Sequence, residues 1–261
     1  MFAFYSLIFI GGMLVGSFLN CVIYRLEAGE GFLKGRSYCP HCRHQLGILD
    51  LIPVFSFIFL GGKCRYCKKP ISLQYPIVEI STGVIFLLIL NFSPFGGSPE
   101  GRQFLNLIYY WTIACFLIVI FVYDLKHYLI PDGVVYPAIV TALLYDFWMS
   151  DIPRMSDILI SAFGASAFFL AIVLISREKW MGMGDVKLAF LMGLLLGWPD
   201  TLVALFLAVF SGAIIGICLI VLGKKKMKSE VPFGPFLVAG AFLALFWADE
   251  IINWYLSYLN I

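Results

Sequence analysis

Residues 104–123 read FLNLIYYWTIACFLIVIFVY, and the next residue is the carboxylate Asp124. A helix needs roughly 20 mostly apolar residues to cross the hydrocarbon core of a bilayer, so this stretch predicts a membrane span. A carboxylate at the boundary of such a span is costly and usually has a function. The stretch therefore indicates both a helical membrane protein and one candidate functional residue.

The composition of the whole chain supports the same fold class. Hydrophobic residues make up 61%, charged residues 13%, and the mean hydropathy is +0.94. Soluble globular domains are about half apolar and a quarter charged. The apolar runs are continuous rather than alternating, which disfavours a β-barrel. We therefore expect an all-α polytopic membrane helix bundle.

Eight apolar runs are candidate spans, and the sixth is shorter than the others. It crosses the bilayer only if residues on the Asp185 side also enter the membrane, or if the bilayer thins locally. The runs cover residues 2–24, 76–92, 104–123, 133–149, 157–176, 186–198, 201–222 and 236–259.

The positive charges predict the orientation. Of the 18 lysines and arginines, all except Arg102 and Arg154 lie in the links after the first, third, fifth and seventh spans or, like Lys187, in the first turn that follows such a link. Cytoplasmic loops are enriched in these residues, so the amino terminus is expected outside and these links inside. The basic run from Lys224 to Lys228 is interpreted as a topology determinant near anionic headgroups. The first span is expected to be an anchor rather than a cleavable signal.

The link of residues 25–75 contains two Cys-x-x-Cys pairs, CPHC from Cys39 to Cys42 and CRYC from Cys64 to Cys67. This spacing is typical of a four-thiolate zinc site. A cytoplasmic location argues against disulfides. Four protein ligands leave no open position, so a structural metal is expected, one that could supply on the order of 10 kcal/mol of folding energy.

Other residues of the same link receive simpler interpretations. His41 and His44 are expected to be bystanders rather than zinc ligands. Residues 48–60 are apolar but interrupted by Pro53, and they lie between two cysteine pairs that must share one side of the membrane. We therefore predict an interfacial or re-entrant helix there.

A second carboxylate, Asp185, begins the sixth span in the sequence GMGDVKL of residues 182–188. Gly182 and Gly184 permit close approach of another chain, so an extended substrate can lie against their backbone. The alternative is that Asp185 merely caps the helix that follows. Asp132, after Pro131, is interpreted as satisfying free N–H groups at the start of the fourth span.

Together, Asp124 and Asp185 suggest acid–base chemistry. Lys126 and Lys187 each follow an aspartate by two residues, and such positions do not face each other on a helix. The lysines are expected to reach for headgroups while the aspartates turn inward. Two adjacent carboxylates would share one proton. The ionised member would activate water, and the protonated member would polarise the scissile carbonyl and then protonate the leaving amine.

At these residues the chain resembles the type IV prepilin peptidases, which are GxGD-type intramembrane aspartic proteases. The resemblance covers most of the chain and includes the two cysteine pairs and both aspartates. It also includes GSFLNCVIYR at 16–25, IP at 52–53, YPIVE at 75–79, IPD at 130–132, GMGDVKL at 182–188 and PFGPFL at 232–237. Gln74 departs from the family pattern, in which a basic residue is expected.

The resemblance implies an activity and its partners. Family members cleave prepilins and type II secretion pseudopilins after a glycine that follows a short basic leader, at the cytoplasmic face. Many also methylate the new amino terminus with S-adenosylmethionine. It implies Asp124 and Asp185 as the catalytic pair. No strand–glycine–helix unit for nucleotide binding is evident, so the S-adenosylmethionine site must be unconventional.

Glu79 is a weak candidate for the methyltransfer site, as a contact for the substrate's amine. The plainer interpretation is a helix-start carboxylate favoured by the helix dipole. The expected partners are prepilins or pseudopilins and the lipid bilayer, with no nucleic acid. The expected location is the bacterial inner membrane, with the aspartates and the zinc insert on its cytoplasmic side.

These predictions divide the chain into three parts, and they compete with two other functions. The parts are a first transmembrane helix at 1–24, a cytoplasmic zinc-binding insert with an interfacial segment at 25–75, and a protease core at 76–261. One alternative is a proton-coupled transporter that uses Asp124 and Asp185 as relay groups. The other is a zinc-stabilised scaffold without catalysis. Both aspartates lie near one face rather than at the midplane, which argues against transport.

Overall fold

The computed structural model describes residues 2–31, 35–92, 100–149, 151–223 and 231–258. These residues form helices joined by turns, with two isolated β-bridges and no strand among them. The helices are α1 (Phe2–Ala28), a 3-10 helix (Ile48–Asp50), α2 (Phe55–Phe59), α3 (Gln74–Phe92), α4 (Glu100–His127), α5 (Asp132–Met149), α6 (Ile152–Ser176), α7 (Met183–Leu196), α8 (Asp200–Val221) and α9 (Gly234–Tyr258).

Each of the eight predicted spans corresponds to one of these helices. Within the described ranges, six helices are long and apolar enough to cross a membrane: α1, α3, the Arg102–His127 part of α4, α6, α8 and α9. The all-α membrane fold is therefore confirmed. The helices α5 and α7 fall outside this set, and α7 has only 14 residues.

The chain forms two compact units, residues 1–119 and 120–261, with the boundary inside α4. In the first unit α1 and α3 run antiparallel and approach closely. A β-carbon on Gly12 would lie 2.7 Å from the Cα of Gly83, and one on Gly16 would lie 2.8 Å from the Cα of Glu79. Small residues at such positions let helix backbones approach, which is how helices associate in lipid.

In the second unit, α7 is the central helix. It contacts α5, α6, α8 and α9, and Leu188, Leu191 and Met192 are fully buried. A helix that is apolar on all sides is buried. Neighbouring helices therefore surround much of α7, which the sequence analysis had considered only as a short span facing the bilayer.

The apolar segment of residues 48–60 does not form the single helix expected. It contains the 3-10 helix and the five-residue α2, separated by residues 51–54, of which Val54 has a φ of +61°. Large side chains on both pieces are exposed, with Ile48 at 87% and Phe59 at 84%. The exposure is compatible with the predicted interfacial location, but the segment is two short pieces.

Some sequence-based predictions fall outside the described residues. These are the basic run from Lys224 to Lys228, the side chain of Lys34 in the insert, and the predicted end of the last span at Leu259.

Candidate functional site

Asp124 lies near the carboxyl end of α4, and its side chain turns inward as predicted, with only 4% of the residue exposed. The backbone N–H of Gly234, at the start of α9, donates to its carboxylate. A β-carbon on Gly234 would lie only 2.6 Å from Oδ2 of Asp124. The carboxylate is therefore held against the backbone of a helix amino terminus.

Asp185 is the third residue of α7, which begins after Gly182. Its carboxylate interacts with the backbone N–H of Gly182, an arrangement that satisfies a free donor at the helix start. This contact is compatible with the capping role considered from the sequence. It does not exclude chemistry, because the Asp124 carboxylate lies within electrostatic range of the Asp185 carboxylate.

The second unit thus places the two acids that the sequence analysis singled out within electrostatic range of each other. Where two carboxylates perturb each other strongly, they titrate as a pair rather than independently. Such a pair can offer a base and an acid at the same time.

The glycines beside Asp185 are placed differently from each other. Gly182 is exposed and precedes the helix, whereas Gly184 lies within the first turn of α7. A β-carbon on Gly184 would lie 3.0 Å from Cβ of Ile130. The close approach at Gly184 is therefore made by a side chain of the protein itself, and only Gly182 lies open.

The lysine of α7 does not reach for headgroups as predicted. Nζ of Lys187 lies 2.6 Å from Oδ1 of Asp132 and 4.9 Å from the centre of the Tyr136 ring. Asp132 thus forms an ion pair that joins the starts of α5 and α7. From the sequence we expected it to accept hydrogen bonds from free N–H groups of its own helix instead. Pro131 supplies the carbonyl that Val134 and Val135 use there.

In the first unit the four cysteines come together. The sulfur atoms of Cys39, Cys42, Cys64 and Cys67 all lie within 4.8 Å of one another, and Cys39 and Cys67 are 3.9 Å apart. A tetrahedral ion with Zn–S bonds of about 2.3 Å separates its sulfurs by roughly 3.8 Å. The cluster therefore fits a four-coordinate metal, and the chemistry of four thiolates favours zinc.

The two cysteine pairs have the same backbone conformation. Arg43 and Lys68 each have positive φ, and each donates its N–H to the carbonyl of the first cysteine of its pair. A bridge closes each turn, Tyr38 with Gln45 and Lys63 with Pro70. This repeated turn was not predicted beyond the cysteines themselves, because the residues around them differ.

Backbone amides stabilise the thiolate form of one ligand. Burial raises the pKa of Cys64, but N–H groups of Cys67 and Tyr66 donate to its sulfur and outweigh burial, so the pKa falls to about 7. At Cys42 the N–H of His44 lowers the pKa, while desolvation and the neighbouring sulfurs raise it to about 11. Four thiolates this close repel one another, so all four can be ionised together only when a bound cation offsets their charge.

The histidines of the insert are bystanders, as predicted. The ring of His44 lies against the ring of Tyr66, with centroids 3.6 Å apart, and His41 is exposed. Neither belongs to the group that can hold a metal.

Glu79 lies in α3 and is buried, with 6% of the residue exposed. Because α3 begins at Gln74, Glu79 is in the second turn, and the helix-start interpretation is wrong. Its Oε2 accepts a 2.7 Å hydrogen bond from the N–H of Val54, and the hydroxyl of Ser17 also contacts it. Glu79 therefore ties α3 to the strained turn between the two cysteine pairs.

Two residues of the aspartate site were missed as functional candidates. Gly234 was noted only within the PFGPFL stretch, and Ile130 only within IPD. A glycine between Pro232 and Pro235 at the start of an apolar run was the available signal for Gly234. No local pattern indicates that Ile130 touches both Gly184 and Gly234.

Comparison with known proteins gives consistent matches along the chain. Residues 10–92 match the bacterial peptidase A24 N-terminal domain, and residues 111–217 match the type IV leader peptidase family. No solved structure matches.

Curated relatives cover nearly the whole chain. A prepilin leader peptidase/N-methyltransferase of Aeromonas hydrophila is 31% identical over 97% of this chain and 94% of its own length. Proteins of the same name are 30% identical in Pseudomonas aeruginosa, over 95% of this chain and 91% of theirs, and in Bacillus subtilis, over 97% and 98%. The chain therefore belongs to the type IV leader peptidase family, and it is a multi-pass bacterial membrane protein.

Proposed function

We propose that this chain cleaves the leader from prepilins or pseudopilins after a glycine, with Asp124 and Asp185 as an aspartic catalytic pair. The observation that carries the proposal is that the ends of α4 and α7 bring the two carboxylates within electrostatic range. Membership of the peptidase family supports this function over the transporter and the scaffold.

The reaction follows from one proton shared between two acids. The ionised carboxylate takes a proton from water, and the water oxygen bonds to the scissile carbonyl carbon. The protonated carboxyl donates to the carbonyl oxygen, which stabilises the tetrahedral intermediate. When the C–N bond breaks, the carboxyl that donated to the carbonyl oxygen gives its proton to the leaving nitrogen, and the pair again holds one proton, the one taken from water. No nucleophilic side chain is needed.

The exposed backbone at Gly182 is the proposed place for an extended substrate. It lies immediately before the helix that carries Asp185, and it has no side chain to obstruct a second backbone. Gly184 is not part of this proposed substrate surface, because Ile130 already occupies the space beside it.

Zinc is the metal we propose for the four-cysteine centre. Cys39, Cys42, Cys64 and Cys67 would hold it, and their sulfur separations suit tetrahedral coordination. When bound, such an ion supplies folding energy to the insert and leaves no open position for chemistry. Proteolysis in this proposal does not pass through the metal.

Methylation of the new amino terminus with S-adenosylmethionine is the second proposed activity, supported by the names of the relatives. Glu79, the residue considered for it, does not fit well, because Val54 and Ser17 already engage its carboxylate. We therefore assign no residue of this chain to methyl transfer.

The proposed location is the cytoplasmic membrane, with the amino terminus outside and both sites on the cytoplasmic side. The distribution of lysine and arginine among the links supports this orientation. It would put the aspartates on the face where a prepilin leader resides before export.

The test uses the purified full-length chain, a prepilin, and mass measurement of the products with and without S-adenosylmethionine. We expect Asp124→Asn and Asp185→Asn each to lower the cleavage rate by about 10³-fold or more, because general acid–base groups contribute roughly 10² to 10⁴. In the wild type, S-adenosylmethionine should add one methyl group to the cleaved product.

The matched control is Asp157→Asn, an exposed aspartate of α6, which should cleave like the wild type. Folding of all variants is checked by thermal melting and zinc content. Cleavage within tenfold of wild type in either Asp124→Asn or Asp185→Asn would overturn the aspartate pair. A cleaved product that never gains mass would overturn methylation alone.

A further inference from the structure

The stretch PFGPFL of residues 232–237 has no role in the reaction described so far, yet it touches Asp124 directly. We propose that Gly234 is a positioning residue for Asp124, and that Ile130 sets the spacing between the helix ends that carry the two aspartates. The inference rests on the proposed function, because it assumes that the aspartate pair performs the cleavage.

The start of α9 contacts the carboxylate of Asp124. The N–H of Gly234 donates to the Asp124 carboxylate. Pro235, the next residue, has no N–H to offer. The donor at the start of α9 is therefore Gly234, and it holds a carboxylate that is almost fully buried.

The space beside Gly234 is too small for a side chain. A β-carbon on Gly234 would lie 2.6 Å from Oδ2 and 3.1 Å from Cγ of Asp124, closer than real Cβ contacts allow. The atoms in the way belong to the end of a side chain, which can rotate aside. An alanine at this position is therefore expected to move the carboxylate of Asp124 and leave the helices in place.

Other glycines in the same unit show the contrast. A β-carbon on Gly193 would overlap backbone atoms of Ala162, and one on Gly240 would overlap the carbonyl oxygen of Ala204. There the obstructing atoms are backbone, so a substitution acts on helix packing. Gly234 differs because the group it would displace is a proposed catalytic side chain.

Ile130 is 7% exposed and lies in the link between α4 and α5. Its Cβ would lie 3.0 Å from a β-carbon on Gly184, and its Cδ1 3.4 Å from one on Gly234. One side chain thus fills the space beside the first turns of both α7 and α9. Those turns carry Asp185 and hold Asp124.

The test compares Gly234→Ala with Gly216→Ala, a glycine of α8 whose added β-carbon meets nothing within 4 Å. We expect Gly234→Ala to lower kcat for prepilin cleavage about 100-fold, as misplacement of a catalytic group by an ångström can do. KM should stay within about threefold, because the lost interaction acts in the transition state. Melting temperature and zinc content should match those of the wild type, and Gly216→Ala should be unchanged throughout.

A second variant covers the case in which Gly234→Ala does not fold. Ile130→Val removes only Cδ1, the atom nearest Gly234, and should lower kcat about fivefold with unchanged KM. If Gly234→Ala folds and keeps kcat within threefold of wild type, the positioning role is wrong. If it does not fold, an unchanged kcat in Ile130→Val overturns the proposal, and a lowered kcat supports it.

These outcomes are separable from failure of the proposed function. If Asp124→Asn and Asp185→Asn are inactive while Gly234→Ala is fully active, the aspartate pair stands and the positioning role falls. If the aspartate variants are themselves active, the proposed function has failed, and the positioning role fails with it.

Discussion

The cysteine insert and the aspartate site are built in opposite ways. Each half of the insert is local, since a cysteine, its partner three residues on and a left-handed residue form one turn. The aspartate site is non-local, because its groups come from the end of α4, the link after it, and the starts of α7 and α9.

The difference affects how much sequence reasoning can find. A turn made by adjacent residues leaves a spacing pattern, whereas a site made by helix ends leaves only single residues with no evident partner. It also predicts different responses to mutation. The insert should depend on its metal, and the aspartate unit should depend on how closely its helices pack.

The largest stability effect should come from removing one cysteine ligand. Cys64→Ser is expected to lose the zinc and with it on the order of 10 kcal/mol of binding energy that folds the insert. Metal analysis should find about one zinc per chain in the wild type and much less in the variant. Limited proteolysis should cleave the variant, but not the wild type, within residues 25–75. Prepilin cleavage should fall less than in Asp124→Asn.

The control for this prediction is Cys115→Ser, a cysteine of α4 outside the cluster. It should retain full metal content. A wild-type protein with far less than one zinc, or a Cys64→Ser variant that keeps it, would contradict the metal-dependent account of the insert.

The second effect is a packing defect in the aspartate unit. Gly193→Ala places a methyl group against the backbone of Ala162 and Ser161, so α6 and α7 must separate. Overpacking of this kind typically costs about 1–3 kcal/mol, a fall in Tm of roughly 5 °C. Zinc content should not change, which would show that the two regions respond independently.

The matched control is Gly164→Ala, also in α6 but with open space around the added carbon. Its Tm should equal that of the wild type or exceed it slightly, because alanine favours helix. Equal melting of Gly193→Ala and Gly164→Ala would mean that the close approach of α6 and α7 does not limit stability.

A third, local effect concerns Glu79, whose carboxylate joins α3 to the backbone of Val54 in the insert. Glu79→Ala leaves the N–H of Val54 without its acceptor, at a cost of about 1–3 kcal/mol. Glu79→Gln keeps a neutral acceptor and should cost less. Hydrogen exchange at Val54 should accelerate strongly in the first variant and weakly in the second.

The same pair of variants tests the methyltransfer role considered for Glu79. If its charge contacts the substrate's amine, Glu79→Gln should abolish methylation while Val54 stays protected from exchange. If its role is the structural tie, methylation should follow the exchange rate of Val54 in both variants.

Some features of the fold were predictable because they depend on composition or on near neighbours. Each predicted span matched a helix, since a continuous apolar run in lipid has few alternatives to a helix. The helix boundaries near Asp124 and Asp185 were close to those observed. The four-cysteine centre was predictable because ligand spacing within a turn is itself the geometry of the site.

Other features were mispredicted because partners on distant elements replaced local ones. Lys187 was expected at the headgroups but pairs with Asp132, and Glu79 was expected to serve its own helix but binds Val54. Residues 48–60 were expected to form one helix, but they are interrupted at 51–54, where the N–H of Val54 donates to Glu79. In each case a contact between separate elements overrode the local preference.

By itself, the sequence determined that this protein is a helical membrane protein with a four-thiolate centre and two isolated acids, because composition and short spacings encode those properties. Only the tertiary structure decided that the two acids lie within electrostatic range, that Gly234 lies against Asp124 with Ile130 beside it, and that α7 is the buried central helix. Those contacts join residues far apart in the chain, and helix packing brings such residues together without leaving a local pattern.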